Sequence, residues 1–418
     1  MTDVTEQRGG QSGRVVVAGA GLAGVRTAAE LREQGWAGAI TLVGAEPHRP
    51  YDRPPLSKEL LLGKAEEAPL DVDFAALGVE LLLGRAATGV RTADRLLDTA
   101  AGPLPYDHLV LATGAEPVTL PGTASVPGVH LLRTLDDARR LKPVLDARGS
   151  VVAVGAGWIG AEAATAARAA GCRVTVVEAG HHPLPGVLPG EVTEPMRRWY
   201  ADAGAELRTG QAVTAVRDGE VELADGTVLG ADAVLVGIGS RPATGWLAGS
   251  GIGLAPDGSL RADERLRTDA PGVYAVGDCA SFPSARYGRR LLVHHWDNAL
   301  TGPRTVAAGI LGRTDAAHDP VPYFWSEQFG HHVQYAGHHG PGDRPLWRGE
   351  PGGEDGWTVC WLRGGDGPEG ASAAVPTAVL AVDRPRDLTQ GRRLIERGAA
   401  LDPERAADPS VPLKAAAR

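Results

Sequence analysis

Four short stretches of the chain are apolar at every position, Val15–Ala18, Leu109–Ala112, Val151–Val154 and Val273–Val276; three run straight into glycine and Leu109–Ala112 reaches it after Thr113. Unbroken runs of this length, bounded by turn residues, read as strands buried on both faces of a parallel sheet, since half-buried strands alternate. Behind the first run, "GAGLAGVRTAAELR" predicts a turn and a helix through Arg32, and "AITLVG" predicts a second strand. Behind the third, "GAGWIGAEAATAARAAGCRVTVVE" repeats the arrangement, with a strand that ends at Glu178. Strand, turn, helix and strand in that order, twice, predict two parallel α/β units.

The turns carry the chemistry. Gly19, Gly21 and Gly24 form GxGxxG, and so do Gly155, Gly157 and Gly160. In such a turn the first glycine permits the tight bend, the second lets a pyrophosphate approach the backbone, and the third lets helix and strand pack closely. Leu22 and Ala23, and Trp158 and Ile159, open the helices whose free N–H groups and positive dipole end would face the phosphates. A lone GxGxxG is weak evidence, because glycine-rich turns are common; set in the full strand–turn–helix–strand unit it predicts dinucleotide binding. Glu178 falls about 20 residues beyond its glycines, where a carboxylate can bind a ribose 2′-OH. The following "AGHH" holds no arginine for a 2′-phosphate, so NADH is expected over NADPH. Two dinucleotide sites on one chain imply a resident flavin dinucleotide, FAD, and a nicotinamide dinucleotide that reduces it. The remaining apolar runs end at Ala112, Thr113 and Gly114, and at Gly277 and Asp278; a carboxylate at that strand end suits the ribityl hydroxyls of a flavin.

Bulk properties narrow the class. The 418 residues allow two or three domains, and 43% hydrophobic with 22% charged positions is ordinary for a globular protein. A formal charge of −9 without a basic stripe argues against nucleic acid. No run of about 18 apolar residues exists to span a membrane. The opening residues 1–13 lack the apolar centre of a signal peptide and are expected to be a disordered lead-in. Cys172, Cys279 and Cys360 form no CxxC or CxxxxC pair, which fits a reducing, cytoplasmic setting. The histidine pairs lack a closed ligand set, so no metal is expected.

"RPYDRPPLSKELLLG" (49–63) follows the first unit. Its two prolines stiffen the backbone, Ser57 suits the start of a helix over "KELLLG", and Gly63 suits its stop. A cysteine here would permit thiolate chemistry beside a flavin; Ser57 and Lys58 do not, so electrons must pass directly to an outside acceptor.

Taken together, "GAGLAG", "YDRPPLSK", "ATG", "LLRTLDDA", "GAGWIGAE", "VYAVGDCA" and "PYFWSEQF" resemble the FAD-dependent NADH:ferredoxin reductases of the putidaredoxin-reductase and ring-hydroxylating-dioxygenase type. The resemblance covers the chain from Arg14 to "DPSVPLK". It implies two Rossmann-like, glutathione-reductase-like domains and a C-terminal α+β domain: FAD binding at 14–119 and 242–318, NAD binding at 120–241, and a cover at 319–418. It implies that FAD meets Gly19–Gly24, Glu46, Arg53, Lys58, Ala87, Ala112–Gly114, Arg133, Gly277, Asp278 and Trp296. The sequence departs from the family where its usual ribose acid gives way to Ala45, with Glu46 next along but expected to leave the strand end in a different direction, and where the acid before "NAL" gives way to His294 or His295. On the NAD side the resemblance adds Gly239. Lys58 and Glu162 are expected to pair beside the flavin, Trp158 to gate the nicotinamide slot, and Trp325 to lie at the flavin edge where a partner docks; Tyr323, Phe324 and Phe329 are expected in the core.

The implied reaction takes a hydride from NADH onto FAD and hands single electrons to an iron–sulfur ferredoxin that serves a cytochrome P450 or a Rieske-type oxygenase. Docking an acidic ferredoxin on a negative chain needs a local basic patch, expected at Arg286, Arg289 and Arg290. Alternatives are a rubredoxin or quinone reductase on the same fold, or an NADH-responsive flavoprotein resembling apoptosis-inducing factor that acts by association.

Overall fold

The computed structural model describes residues 12–313, 317–364 and 374–418, so most of the expected lead-in, residues 1–11, lies outside the described residues. Along the chain come β1 (Arg14–Ala18), α1 (Leu22–Glu33), β2 (Ala39–Val43), β3 (Val79–Leu82) and β4 (His108–Leu111). Next are β5 (Val129–His130), β6 (Ser150–Val154), α2 (Trp158–Ala169), β7 (Arg173–Glu178), β8 (Glu206–Thr209) and β9 (Ala233–Val236). The chain then makes β10 (Val273–Ala275) and α3 (Trp296–Ile310). It closes with β11 (Tyr323–Gln328), β12 (His331–Gly337), β13 (Arg344–Arg348), β14 (Trp357–Arg363), β15 (Val375–Val382) and α4 (Pro385–Arg397).

These elements form two units. One gathers the chain up to Asp52 with Ala68–Glu116 and Arg241–Pro322; the other gathers Arg53–Glu67, Pro117–Ser240 and Tyr323–Arg418. The first contains a five-stranded parallel sheet in the order β10-β4-β1-β2-β3. All four apolar runs are strands, and their residues are almost wholly shielded because helices cover one face of each sheet and short antiparallel strands the other. The chain leaves β1 for β2 on one side and meets β4 on the other, so the strand order reverses beside β1. Ligands in open α/β sheets bind at such a point, outside the carboxyl ends of the strands.

In the second unit the parallel order is β8-β7-β6-β9-β5, with the same reversal beside β6. The C-terminal sheet is antiparallel, β11-β12-β15-β14-β13, with α4 against it. Leu184, Val192, Met196 and Trp199 share a core with Phe324, Val333, Trp357 and Trp361, which ties this sheet to the segment that follows β7. Tertiary structure corrects one local expectation. The helix expected to begin at Ser57 ends there: Pro54 and Pro55 occupy the opening of a 3-10 turn over Pro54–Ser57, and residues 59–63 follow as turns. Proline is suited to a first helical turn by its fixed φ and missing N–H, so the pair starts the turn at Pro54, three residues ahead of the serine.

Two buried groups anchor the units. Arg348, 1% exposed, donates to Asp387 at 2.9 Å and to the carbonyls of Ala406 (3.0 Å), Val411 (2.5 Å), Asp408 and Pro409. In the other unit His318 is buried edge-on against Phe282, with Nε2 3.4 Å from Asn298 Oδ1. Burial pushes its pKa down from 6.5 to about 4, with Asp319 opposing. The unfolded chain therefore binds this proton first as pH falls. Stability is held above about pH 6.5 and lost progressively towards pH 4, by about 3 kcal/mol. Urea unfolding of wild type and His318→Gln across that window is expected to show a shallower pH slope for the variant; parallel slopes would remove His318 from the account.

Candidate functional site

Backbone geometry explains the glycines of the first turn. Gly19 has φ +118°, and a Cβ there would stand 2.2 Å from the Ala112 carbonyl oxygen. A Cβ on Gly24 would stand 1.8 Å from the oxygen of Gly19, so this glycine lets α1 close onto the turn. Gly21, which caps α1, is different: a Cβ there would meet nothing within 4 Å. The space before the helix N-terminus is open and faced by unpaired backbone N–H groups, as a dinucleotide pyrophosphate requires. The residues present therefore fit FAD.

The other expected FAD residues of this unit follow strand ends of the same sheet or join it from adjoining elements. Glu46 lies three residues beyond β2 and accepts a hydrogen bond from Tyr51 Oη at 2.5 Å. Thr113, just after β4, donates to the Ala243 carbonyl at 2.8 Å, and Gly114 accepts from Ala243 N–H. Gly277 and Asp278 form a 3-10 turn after β10, with φ +77° at Gly277, where a Cβ would press on Ala23. Ala87 opens an antiparallel strand (Ala87–Arg91), and Trp296 is the first residue of α3, its indole donating to Asp52 at 2.8 Å.

We expect Gly21→Ala to fold with a melting temperature near that of the flavin-free wild type yet bind FAD at least about tenfold more weakly, since its methyl enters the phosphate space. Gly24→Ala should instead fail in folding. Flavin content after dialysis and apoprotein melting separate the two; full flavin retention by Gly21→Ala would contradict the reading.

The second turn repeats these constraints. A Cβ would lie 2.4 Å from the Gly237 oxygen at Gly155 and 2.0 Å from the Gly155 oxygen at Gly160, but no closer than 3.7 Å to any atom at Gly157. Gly239, beyond β9, has an open surround, and Ile159 is 41% exposed. Glu178, at the end of β7, is buried; its two oxygens accept from Ala156 N–H at 2.8 Å and Gly180 N–H at 2.7 Å. Those bonds fix the direction of the side chain and leave lone pairs for ribose hydroxyls. Sequence reasoning missed Arg197 here. It donates to the His181 carbonyl at 3.0 Å and to Thr209 Oγ1 at 3.1 Å, so a guanidinium does lie beside "AGHH" although that stretch contains none.

Elsewhere in the second unit the structure brings Lys58 and Glu162 together. Lys58 Nζ donates to Glu162 Oε2 at 2.8 Å and to the Pro54 carbonyl at 3.3 Å. Glu162, 6% exposed, also accepts from Ser57 Oγ at 2.5 Å and, on Oε1, from Ser326 Oγ at 2.7 Å. Arg53 donates to the Arg133 carbonyl. Trp158 sits edge-on to Phe324 with centroids 4.3 Å apart, so in this structure it packs on the C-terminal core. Strand β11 alternates: Phe324, Ser326 and Gln328 face inward, while Tyr323 and Trp325 are half-buried and stacked, centroids 6.1 Å apart. Of the three aromatics expected in the core, only Phe324 is fully buried, since Tyr323 lies under the Arg392 guanidinium, 5.2 Å from its ring centre, and Phe329 is half-buried.

Of the expected basic patch, Arg289 is exposed and Arg286 half-buried, but Arg290 is turned inward. Arg290 is committed to the carbonyls of Ala262 (2.7 Å) and Ser281 (2.6 Å) and is half-buried, so it offers little to a partner. Arg386 and Arg393 of α4 instead line an open groove with Thr389, Gln390 and Lys414. These three cations are exposed and have no carboxylate partner among the described residues. All three cysteines are free and buried; burial raises the thiol pKa of Cys172 and Cys279, and pushes that of Cys360 up to about 12. None is a ready thiolate.

Comparison with known proteins agrees over nearly the whole length. Residues 13–302 match the family described as pyridine nucleotide-disulphide oxidoreductase, and residues 323–417 match the one described as reductase C-terminal. Rhodocoxin reductase from Rhodococcus erythropolis is 35% identical over 413 residues, covering 96% of this chain and 94% of that one. The chlorobenzene dioxygenase ferredoxin reductase component of Cupriavidus sp. (strain PS12) is 38% identical, over 94% and 95% of the two chains. Among solved structures, the covalent putidaredoxin reductase-putidaredoxin complex matches with a TM-score of 0.89 and 33% identity, over 96% and 97% of the chains.

Proposed function

From its membership of the pyridine nucleotide-disulphide oxidoreductase family, to which the chain belongs over residues 13–302 with a reductase C-terminal domain beyond, we propose that this protein is an NADH:ferredoxin reductase. It carries electrons from NADH to an iron–sulfur ferredoxin that serves a cytochrome P450 or a Rieske-type oxygenase. The observation that carries this reading is the repeated turn: two parallel sheets, each reversing order beside a glycine with open space before a helix N-terminus.

Bound FAD supplies the conversion between a two-electron donor and a one-electron carrier. The chain's own residues do the rest. Gly19–Gly24 hold the FAD pyrophosphate, with Glu46, Ala87, Ala112–Gly114, Gly277, Asp278 and Trp296 around the remainder of the cofactor, and Arg53 and Arg133 joining them. Gly155–Gly160 hold the pyrophosphate of NADH, and Glu178 takes its ribose while repelling a 2′-phosphate. Lys58, anchored by Glu162, fixes a positive charge for the flavin ring. The buried cysteines support direct electron transfer to an outside protein. Residues 14–119 and 242–318 form the FAD-binding domain, 120–241 the NAD-binding domain and 319–418 the cover. Cytoplasmic operation is supported by the unpaired cysteines; among the described residues no helix is long and apolar enough to cross a membrane. Anaerobic titration tests the reading: one equivalent of NADH should bleach the flavin band, with NADPH far slower. A flavin untouched by NADH would contradict it.

The groove of Arg386, Arg393 and Lys414 supplies the basic surface that a negative chain needs for an acidic ferredoxin. Reversing all three charges to Glu is expected to raise the KM for ferredoxin about tenfold or more, and to flatten its salt dependence, with flavin reduction by NADH unchanged. Equal KM values would move docking elsewhere.

A further inference from the structure

The Glu162 carboxylate is the junction of three separate stretches of chain. It projects from α2, accepts Ser57 and Lys58 of the proline-led turn on Oε2, and accepts Ser326 of β11 on Oε1. Behind Ser326 stands Gln328, whose Nε2 donates to Ser326 Oγ at 3.2 Å. Ser57, Ser326 and Gln328 are all almost fully buried.

Ser326 lies on the inward row of β11 beside Phe324, where an apolar residue would serve packing better than a hydroxyl. Its hydroxyl has an acceptor in Glu162 and a donor in Gln328, so its direction is fixed from both sides. Hydrogen bonds to an ionised acceptor are shorter and stronger than neutral ones, and chains of them reinforce one another. Each oxygen of Glu162 is thus tied by a serine, and the carboxylate plane is set. That plane decides where Oε2 stands, and Oε2 is what holds the Lys58 ammonium.

We infer that Ser326, backed by Gln328, and Ser57 are positioning residues that clamp Glu162 so that Lys58 is held in one place for the flavin. The inference rests on the reading of Lys58 given above. Ser326→Ala keeps the strand and nearly the volume but leaves Oε1 without its donor. The carboxylate then turns or recruits water, and Lys58 loses its fixed anchor. The C-terminal sheet is in this way part of the reductive half of the reaction, through a residue adjacent to Trp325 in the same strand.

The test uses the FAD-loaded protein. Wild type is first reduced by NADH; failure at that step would overturn the reductase reading itself, before any variant is made. Ser326→Ala is then expected to lower the limiting rate of flavin reduction about tenfold with the KM for NADH unchanged. It should also shift the flavin midpoint potential measured by spectroelectrochemistry, which a packing role would leave alone. Ser326→Thr, which keeps the hydroxyl, should restore most of both. In a Glu162→Gln background the same Ser326→Ala change should add less than a twofold effect. An unchanged rate and potential, or a full tenfold loss in the Glu162→Gln background, would overturn the clamp. If Ser326→Ala does not fold, Ser57→Ala tests the same carboxylate from its other oxygen, with the same expected loss and the same contradicting result.

Discussion

Lys58→Met should slow the reduction of bound flavin by NADH about a hundredfold with FAD content kept, a loss far out of proportion to the fall in melting temperature that comes from leaving buried Glu162 without its ammonium. A fixed charge beside developing charge is commonly worth that much, because it needs no reorganisation as the reaction proceeds. The side chain is suited to such a role: it is 14% exposed and held at 2.8 Å by a carboxylate that is itself 6% exposed. Methionine matches its length and apolar stem, so packing is largely kept and the ammonium is what disappears. A surface lysine would behave otherwise, since exposed ion pairs contribute little. Single-wavelength stopped-flow with NADH decides the matter. A variant reduced as fast as wild type would detach Lys58 from the chemistry and leave it as a strut for the Pro54–Ser57 turn.

Arg348→Ala is expected to have the largest effect on stability. Its guanidinium is buried, pairs with Asp387, and gathers four carbonyls from the segment between Ala406 and Val411. Removing it leaves buried Asp387 with only the longer bonds from Thr358 and Arg384, both at 3.3 Å, and takes the guanidinium from all four carbonyls, of which Asp408 keeps the Val411 N–H. Breaking one side of such a pair costs about 3–5 kcal/mol. The C-terminal segment should become open to limited proteolysis, and the melting temperature should fall by on the order of 10 °C. Arg348→Lys should fall between the two, because one ammonium cannot reach so many acceptors. A melting temperature within about 1 °C of wild type for the alanine variant would show that the C-terminal segment is held by other contacts.

The sequence was most informative where backbone geometry allows one residue type. Gly19, Gly24, Gly155 and Gly160 are required by carbonyl oxygens that a Cβ would strike, and such requirements are visible as spacing. The buried strands were visible as unbroken apolar runs for a similar reason. Other features depended on long-range approach and left no local mark. Ser57 and Ser326 lie 105 and 164 residues from the Glu162 carboxylate they bind, and nothing in "LSK" or "FWSEQF" announces the meeting. Arg197 reaches the loop after Glu178 from another element, so a search confined to "AGHH" overlooked it. Within the expected basic patch, charge on a strand said nothing about direction: Arg290 turns towards carbonyls of its own unit, while Arg289 is exposed. The turn was read three residues late, at Ser57 rather than Pro54, because two prolines outweigh one serine as a helix start.

The most direct test of the central claim is anaerobic stopped-flow in two stages. The FAD-loaded protein is mixed with one equivalent of NADH, then with oxidised [2Fe–2S] ferredoxin. The account predicts rapid loss of the flavin band, followed by rapid reduction of two ferredoxins for each NADH consumed. Rapid loss of the flavin band with no onward reduction of ferredoxin would contradict it, and would leave the two dinucleotide sites serving a quinone or an association partner instead.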